Sequence, residues 1–149
     1  MQTNTNISNI SPSDWMTEQA LPLRGGHEHT RGELPKPILK AVVDYIHENL
    51  RQDLSLGQLA KQAVLSKACF IRQFKKSMGI SPYQYVLQCR VELAQQLLQQ
   101  RYLSVEAIAV ASGFKDQNHL TRTFRRLTET TPSAYRKQHF KDEESQAIA

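Results

Sequence analysis

The chain has 149 residues, 19 Lys/Arg against 14 Asp/Glu for a formal charge of +5, and 40% apolar residues. That length allows one or two small domains, each with a modest core. No apolar run reaches membrane-spanning length, and the opening MQTNTNISNI lacks the charged and apolar regions of a signal peptide, so no membrane partner and a cytoplasmic location are expected.

The charge is unevenly placed. Between Leu54 and Lys141 there are 14 Lys/Arg against four acids (Glu92, Glu106, Asp116, Glu129), about +10, while the remainder carries 5 against 10, about −5. A basic block of that kind suits a polyanion partner. Cys69 and Cys89 fall inside predicted helices without paired-ligand spacing and read as packed thiols in a reducing compartment.

Residues 1–34 are polar, with Gly25-Gly26 and no sustained period, and read as a flexible N-terminal tail. Its H-E-H at 27–29 has no companion ligands, so no metal and no cofactor are expected. Pro35 and Pro37 punctuate the tail's end. Ile38, Val42 and Ile46 then recur every four residues beside Leu39, Val43 and Leu50, which predicts an amphipathic helix to about Asn49. Ser55 and Gln58 form a capping box for a short helix marked by Leu56, Leu59, Ala60 and Ala63. A turn at Val64-Leu65-Ser66 leads to a helix from Lys67 to Met78, stopped by Gly79. Two short helices across so tight a turn outline a helix-turn-helix over about 54–80.

Residues 82–100 read as one long linker helix. Ser81 is its N-cap, Pro82 occupies a position where a missing N–H costs nothing, and Gln84 completes a capping box. Val86, Leu87, Cys89, Leu93, Ala94, Leu97 and Leu98 cover over a third of its circumference, an arc suited to packing against two bodies. Gln84, Gln88, Glu92, Gln95 and Gln99 take the opposite side. Arg90 falls near the middle of the apolar arc and reads as an internal clamp; Asp44, Glu48, Asp53, Glu106 and Asp116 are the partners available.

Past the linker the pattern returns. Leu103-Ser104-Val105 echoes Leu54-Ser55-Leu56, and Ile108-Ala109 echoes Leu59-Ala60, at a spacing of 49. Beyond the turn the spacing is 50: Arg72 matches Arg122, Phe74 matches Phe124, Lys75-Lys76 match Arg125-Arg126, Pro82 matches Pro132 and Tyr85 matches Tyr135. One extra residue within Gly113-Phe114-Lys115 accounts for the change. The matches fall at caps, core positions and basic positions alike, so the chain carries two helix-turn-helix units in tandem, the second over about 103–130. A last helix from Thr131-Pro132 to about His139 closes it, and 141–149 reads as a loose acidic tail. The fold class is all-α: two helix-turn-helix subdomains joined by a long linker helix.

From about Ile38 to Gln138 the chain resembles the DNA-binding domain of AraC/XylS-type bacterial transcription regulators. The motifs are L-S-L-x-x-L-A at Leu54–Ala60, L-S-x-x-x-F-x-R-x-F-K at Leu65–Lys75, G-I-S-P-x-x-Y at Gly79–Tyr85 and R-x-E-x-A-x-x-L-L at Arg90–Leu98. I-A-x-x-x-G-F at Ile108–Phe114, D-Q-x-H-x-x-R-x-F-R-R at Asp116–Arg126 and T-P-x-x-Y-R at Thr131–Arg136 complete the set. The resemblance implies a monomeric module over 35–140 that places the second helix of each unit in a major groove. Three departures stand out. Glu129 occupies the position of the glycine matched by Gly79, Val64 occupies that of Gly113, and ahead of the module, where many members carry a long effector-binding domain, this sequence has a short tail. The initiating Met before that tail favours a single-domain regulator over the targeting module of a longer ligand-responsive one.

Phe70 and Phe74, four apart, face the core of the first unit, which turns Lys67, Ala68, Ile71, Arg72 and Lys75 outward. Arg72 suits a guanine edge, Lys67 and Lys75 suit phosphate, and Ala68 and Ile71 offer apolar contact to a thymine methyl. Leu120 and Phe124 face inward in the second, leaving Gln117, Asn118, Thr121, Arg122 and Arg125 outward; Asn or Gln pairs naturally with adenine and Arg with guanine. The resemblance adds weight to Arg72, Gln117, Asn118 and Arg122. Outside the module there is no nucleophile–base pair and no phosphate loop, so no enzyme is expected. The expected protein is a sequence-specific DNA-binding transcription regulator, an activator working with RNA polymerase. The alternative is an architectural DNA binder with little base readout.

Overall fold

The structure, a computed structural model, describes residues 32–148. These form helices α1 (Lys36–Glu48), α2 (Leu56–Gln62), α3 (Lys67–Met78), α4 (Pro82–Leu98), α5 (Val105–Ala111), α6 (Gln117–Thr128) and α7 (Pro132–Ala147), with no strand among the described residues. The all-α expectation holds. The helix starts follow local chemistry: Ser55, Ser66, Ser104, Asp116 and Thr131 each accept a hydrogen bond from the backbone N–H three residues on. Capping boxes close α2 and α4, the latter through Ser81 N–H to Gln84 Oε1 at 3.1 Å and Gln84 N–H to Ser81 Oγ at 3.2 Å.

The described chain divides into two compact units, 32–89 and 90–148. In the first, Leu39, Val42, Val43 and Ile46 of α1 are buried with Leu59 and Ala60 of α2, Phe70, Phe74 and Met78 of α3, and Tyr85 at the start of α4. A row of rings runs through it, Phe70 to Phe74 at 5.6 Å and Phe74 to Tyr85 at 5.8 Å between centroids. The second unit buries Val91, Ala94 and Leu98 of α4 with Ile108, Ala109, Phe114, Leu120 and Phe124. Its Phe124–Tyr135 pair, at 5.6 Å, repeats Phe74–Tyr85 at the spacing of 50 found in the sequence. α4 therefore has two roles. Its first turns supply Pro82 and Tyr85 as α7 supplies Pro132 and Tyr135. Its last turns supply Val91, Ala94 and Leu98 at the i, i+3, i+7 spacing of Leu39, Val42 and Ile46 on α1.

Four boundaries or placements differ from expectation. Leu34, assigned to the tail, is buried and donates its N–H to Ser77 Oγ at 2.8 Å, so packing begins before Pro35. The linker helix ends at Leu98 rather than 100, where Arg136 caps it by donating from Nε to the Leu98 carbonyl at 3.1 Å and from Nη2 to that of Gln100 at 3.3 Å. Gln88, placed on the polar side, is buried, as is every residue from Tyr85 to Val91. Its amide atoms have no hydrogen-bond partner among the described residues. The acidic end is not loose to its last residue: α7 continues through it to Ala147. Gln138 Nε2 donates to Asp142 Oδ1 at 2.7 Å, His139 faces Glu143 at 3.5 Å, and Ser145 Oγ donates to the Lys141 carbonyl at 2.9 Å. Side-chain links one turn apart extend an exposed helix without any core contact.

Candidate nucleic-acid interface

The two turns that aim α3 and α6 have the same backbone construction. After α2, Val64 N–H bonds to the Lys61 carbonyl and Leu65 N–H to that of Ala60, both at 3.0 Å; after α5, Gly113 bonds to Val110 at 3.1 Å and Phe114 to Ala109 at 2.9 Å. This is a glycine-type helix ending that needs a left-handed residue at its centre. Gly113 takes it at φ 89°, and Val64 is forced to φ 54°. The substituted position at the far end of α6 behaves likewise, Glu129 adopting φ 63° where Gly79 has φ 80°. Both departures noted in the sequence are thus side chains in glycine conformations, at about 1–2 kcal/mol each. The extra residue of the second turn is Lys115, inserted between Phe114 and the cap Asp116.

With one face of each helix buried, the other is open. On α3, Lys67, Ala68, Ile71, Arg72 and Lys75 are exposed; on α6, Gln117, Asn118, Arg122 and Arg125 are exposed and Thr121 is half-buried. Positions 68, 71, 72 and 75 form one stripe at i, i+3, i+4, i+7, and 118, 121, 122 and 125 repeat it. α3 carries Lys67, Arg72, Lys75 and Lys76 with no acid; α6 carries Arg122, Arg125 and Arg126 with none. Lys67, Arg72, Lys75, Arg122 and Arg125 make no ion pair with a described carboxylate. Arg72 Nη2 lies 3.5 Å from Cys69 Sγ, a weak contact along its own helix. Cys69 is half-buried and Cys89 buried.

The basic block is not uniformly available. Arg90 is buried, Arg101 stacks 4.0 Å over the Phe140 ring, and Arg136 holds the end of α4, so three of its 14 cations have structural tasks. His119 is also structural: its ring meets Phe114 edge-on at 5.2 Å and its N–H is capped by Asp116 Oδ1 at 2.7 Å. Lys76 and Arg126 are exposed next to Lys75 and Arg125, and their match across the repeat is the signal in the sequence that singles them out. His27 and His29 lie outside the described residues. Among those described, no group of three His, Cys, Asp or Glu gathers to hold a metal, and no helix is long and apolar enough to cross a membrane.

Comparison with known proteins agrees with this geometry. Residues 59–138 match the family model described as a helix-turn-helix domain. A probable transcriptional regulator, LumQ of Photobacterium leiognathi, is 37% identical over 92 residues, covering 62% of this chain and 37% of its own length. The transcriptional activator RhaS of Pectobacterium atrosepticum is 33% identical over 106 residues, 71% of this chain and 38% of RhaS. Among solved structures, the DNA-binding domain of AdpA in complex with a target DNA is 34% identical with a TM-score of 0.64, covering 68% of this chain and 91% of that one. An AraC-type regulator from Chromobacterium violaceum is 33% identical at the same TM-score, covering 69% and 92%. Two helix-turn-helix units joined by one helix define a DNA-binding module. The chain belongs to the AraC/XylS-type helix-turn-helix family. It spans less than half the length of the curated relatives it matches.

Proposed function

We propose that the chain is a sequence-specific DNA-binding transcription regulator, an activator acting without chemistry in the cytoplasm. It binds as a monomer and inserts α3 and α6 into successive major grooves. Arg72 and Arg122 read guanine, Gln117 and Asn118 read adenine, Thr121 adds a short polar contact, and Lys67, Lys75 and Arg125 neutralise phosphate. The observation that carries this reading is the pair of acid-free stripes, open at equivalent positions of two repeated units. The likeness to RhaS, named an activator, supports activation and hence a contact with RNA polymerase. Selection of bound sites from random DNA, followed by competition at physiological salt, tests it. A selected site should outcompete unrelated DNA by at least about 10³-fold, whereas equal affinity for all sequences would reject specific reading.

One observation favours a second reading, an architectural binder. Ala68 and Ile71 place no hydrogen-bonding side chain at two central positions of α3. That reading predicts a steep salt dependence with little penalty for any base change.

A further inference from the structure

The two open stripes are alike in position and unlike in chemistry. At matched places α3 has Ala68 and Ile71 where α6 has Asn118 and Thr121, and both continue into an arginine, Arg72 and Arg122. Ile71 is 38% exposed on a helix that already buries Phe70, Phe74 and Met78, so its exposure adds nothing to the core. Its branched side chain is stiff, and Ala68, one turn earlier, lies beside it to form a small apolar step. Lys67, Arg72 and Lys75 flank that step on α3 with cations and no acid, a setting that suits a polyanionic partner. In a major groove, the apolar group presented by a base pair is the methyl on pyrimidine C5.

We propose that Ala68 and Ile71 form a methyl-reading contact: the first half-site carries a C5-methylated pyrimidine beside the guanine read by Arg72. This rests on the proposed insertion of α3 and deepens it. Thymine supplies the group directly. 5-Methylcytosine places the same methyl in the same groove, so cytosine methylation there strengthens binding where an unmodified cytosine does not.

The test uses the full chain and a site selected from random DNA. The first half-site is the one whose base preferences relax in Arg72→Ala. Each of its thymines is replaced singly by deoxyuridine, which removes the methyl and leaves the pairing edge intact. At one or two positions binding should weaken about fourfold, the value of one buried methyl-sized group. Cytosine and 5-methylcytosine opposite guanine at the same position should differ by a similar factor in favour of the methylated base. In Ile71→Ser both differences should fall to about one while the preferences of the second half-site persist. A thymine-free first half-site, silent deoxyuridine at every position, or an undiminished methyl effect in Ile71→Ser would each overturn the proposal, with base preference elsewhere intact. Loss of base preference at both half-sites would instead remove the reading on which it rests, and the proposal with it.

Discussion

Arg72 and Arg122 hold the same place on repeated helices, open to solvent and without an ionic partner among the described residues. Lys75 lies one turn further along. A planar guanidinium can grip a guanine edge through two donors; an ammonium on a flexible stem suits a phosphate. Arg122→Ala should weaken binding to a selected site by about 1–3 kcal/mol and relax preference at one base pair. Lys75→Ala should weaken binding to every sequence and lower the slope of affinity against salt. Titrations of both variants on matched and mismatched DNA across salt concentrations separate the roles; identical base profiles and slopes would contradict them. Val64 is a different kind of residue-scale test. It is 88% exposed, so glycine removes almost no burial while relieving a β-branched residue at φ 54°. Val64→Gly should raise stability by about 1 kcal/mol, a rise of about 4–8 °C in thermal midpoint. An unchanged midpoint would mean that the left-handed conformation stores no strain.

At the scale of the element, what was legible in the sequence is what local chemistry decides. Ser55, Ser66 and Ser81 announce their helices because a cap needs only residues within one turn, and the faces of α3 and α6 follow from apolar pairs four apart, Phe70 with Phe74 and Leu120 with Phe124. The continuation of α7 was missed because it rests on weak links between exposed side chains rather than on an apolar period. The tasks of Arg101 and Arg136 were missed because a ring and two carbonyls outside their own helical turns assign them. The core elements carry their own prediction: Phe74→Ala or Phe124→Ala, each fully buried, should cost about 3–5 kcal/mol. Helical circular dichroism followed through a thermal melt would show it, and an unaltered transition would refute the core assignment. α1 and α4 add a pH dependence. His47 Nε2 lies 3.2 Å from the hydroxyl of buried Tyr85, and desolvation, opposed by Asp44, holds the imidazole pKa below its usual value. The unfolded chain therefore binds this proton more readily than the folded one. The stability it contributes is complete above about pH 6.5 and declines as pH falls from there. The melting midpoint should drop between pH 7 and pH 5.5, and His47→Gln should flatten that drop; an identical decline in the variant would assign it elsewhere.

On the scale of the whole molecule, the tandem repeat was the most informative signal, because spacings of 49 and 50 linked caps, core and basic positions without any fold assumption. It located both turns and the single inserted residue, now Lys115. It could not reveal that residues 85–91 of α4 are buried on all sides, since Gln88 reads as polar in any periodic pattern and only tertiary packing covers it. The central proposal, that one chain reads two grooves, starts from α4 being unbroken over 17 residues. Such a helix is about 25 Å long, against about 34 Å between successive major grooves on one face of B-DNA. The most direct measurement is the affinity of the full chain for a selected site, of about 20 base pairs, before and after about five base pairs are inserted between its half-sites. Half a turn of rotation carries one half-site to the opposite face of the duplex, so affinity should fall nearly to that for unrelated DNA. Affinity retained to within a few-fold after the insertion would contradict it.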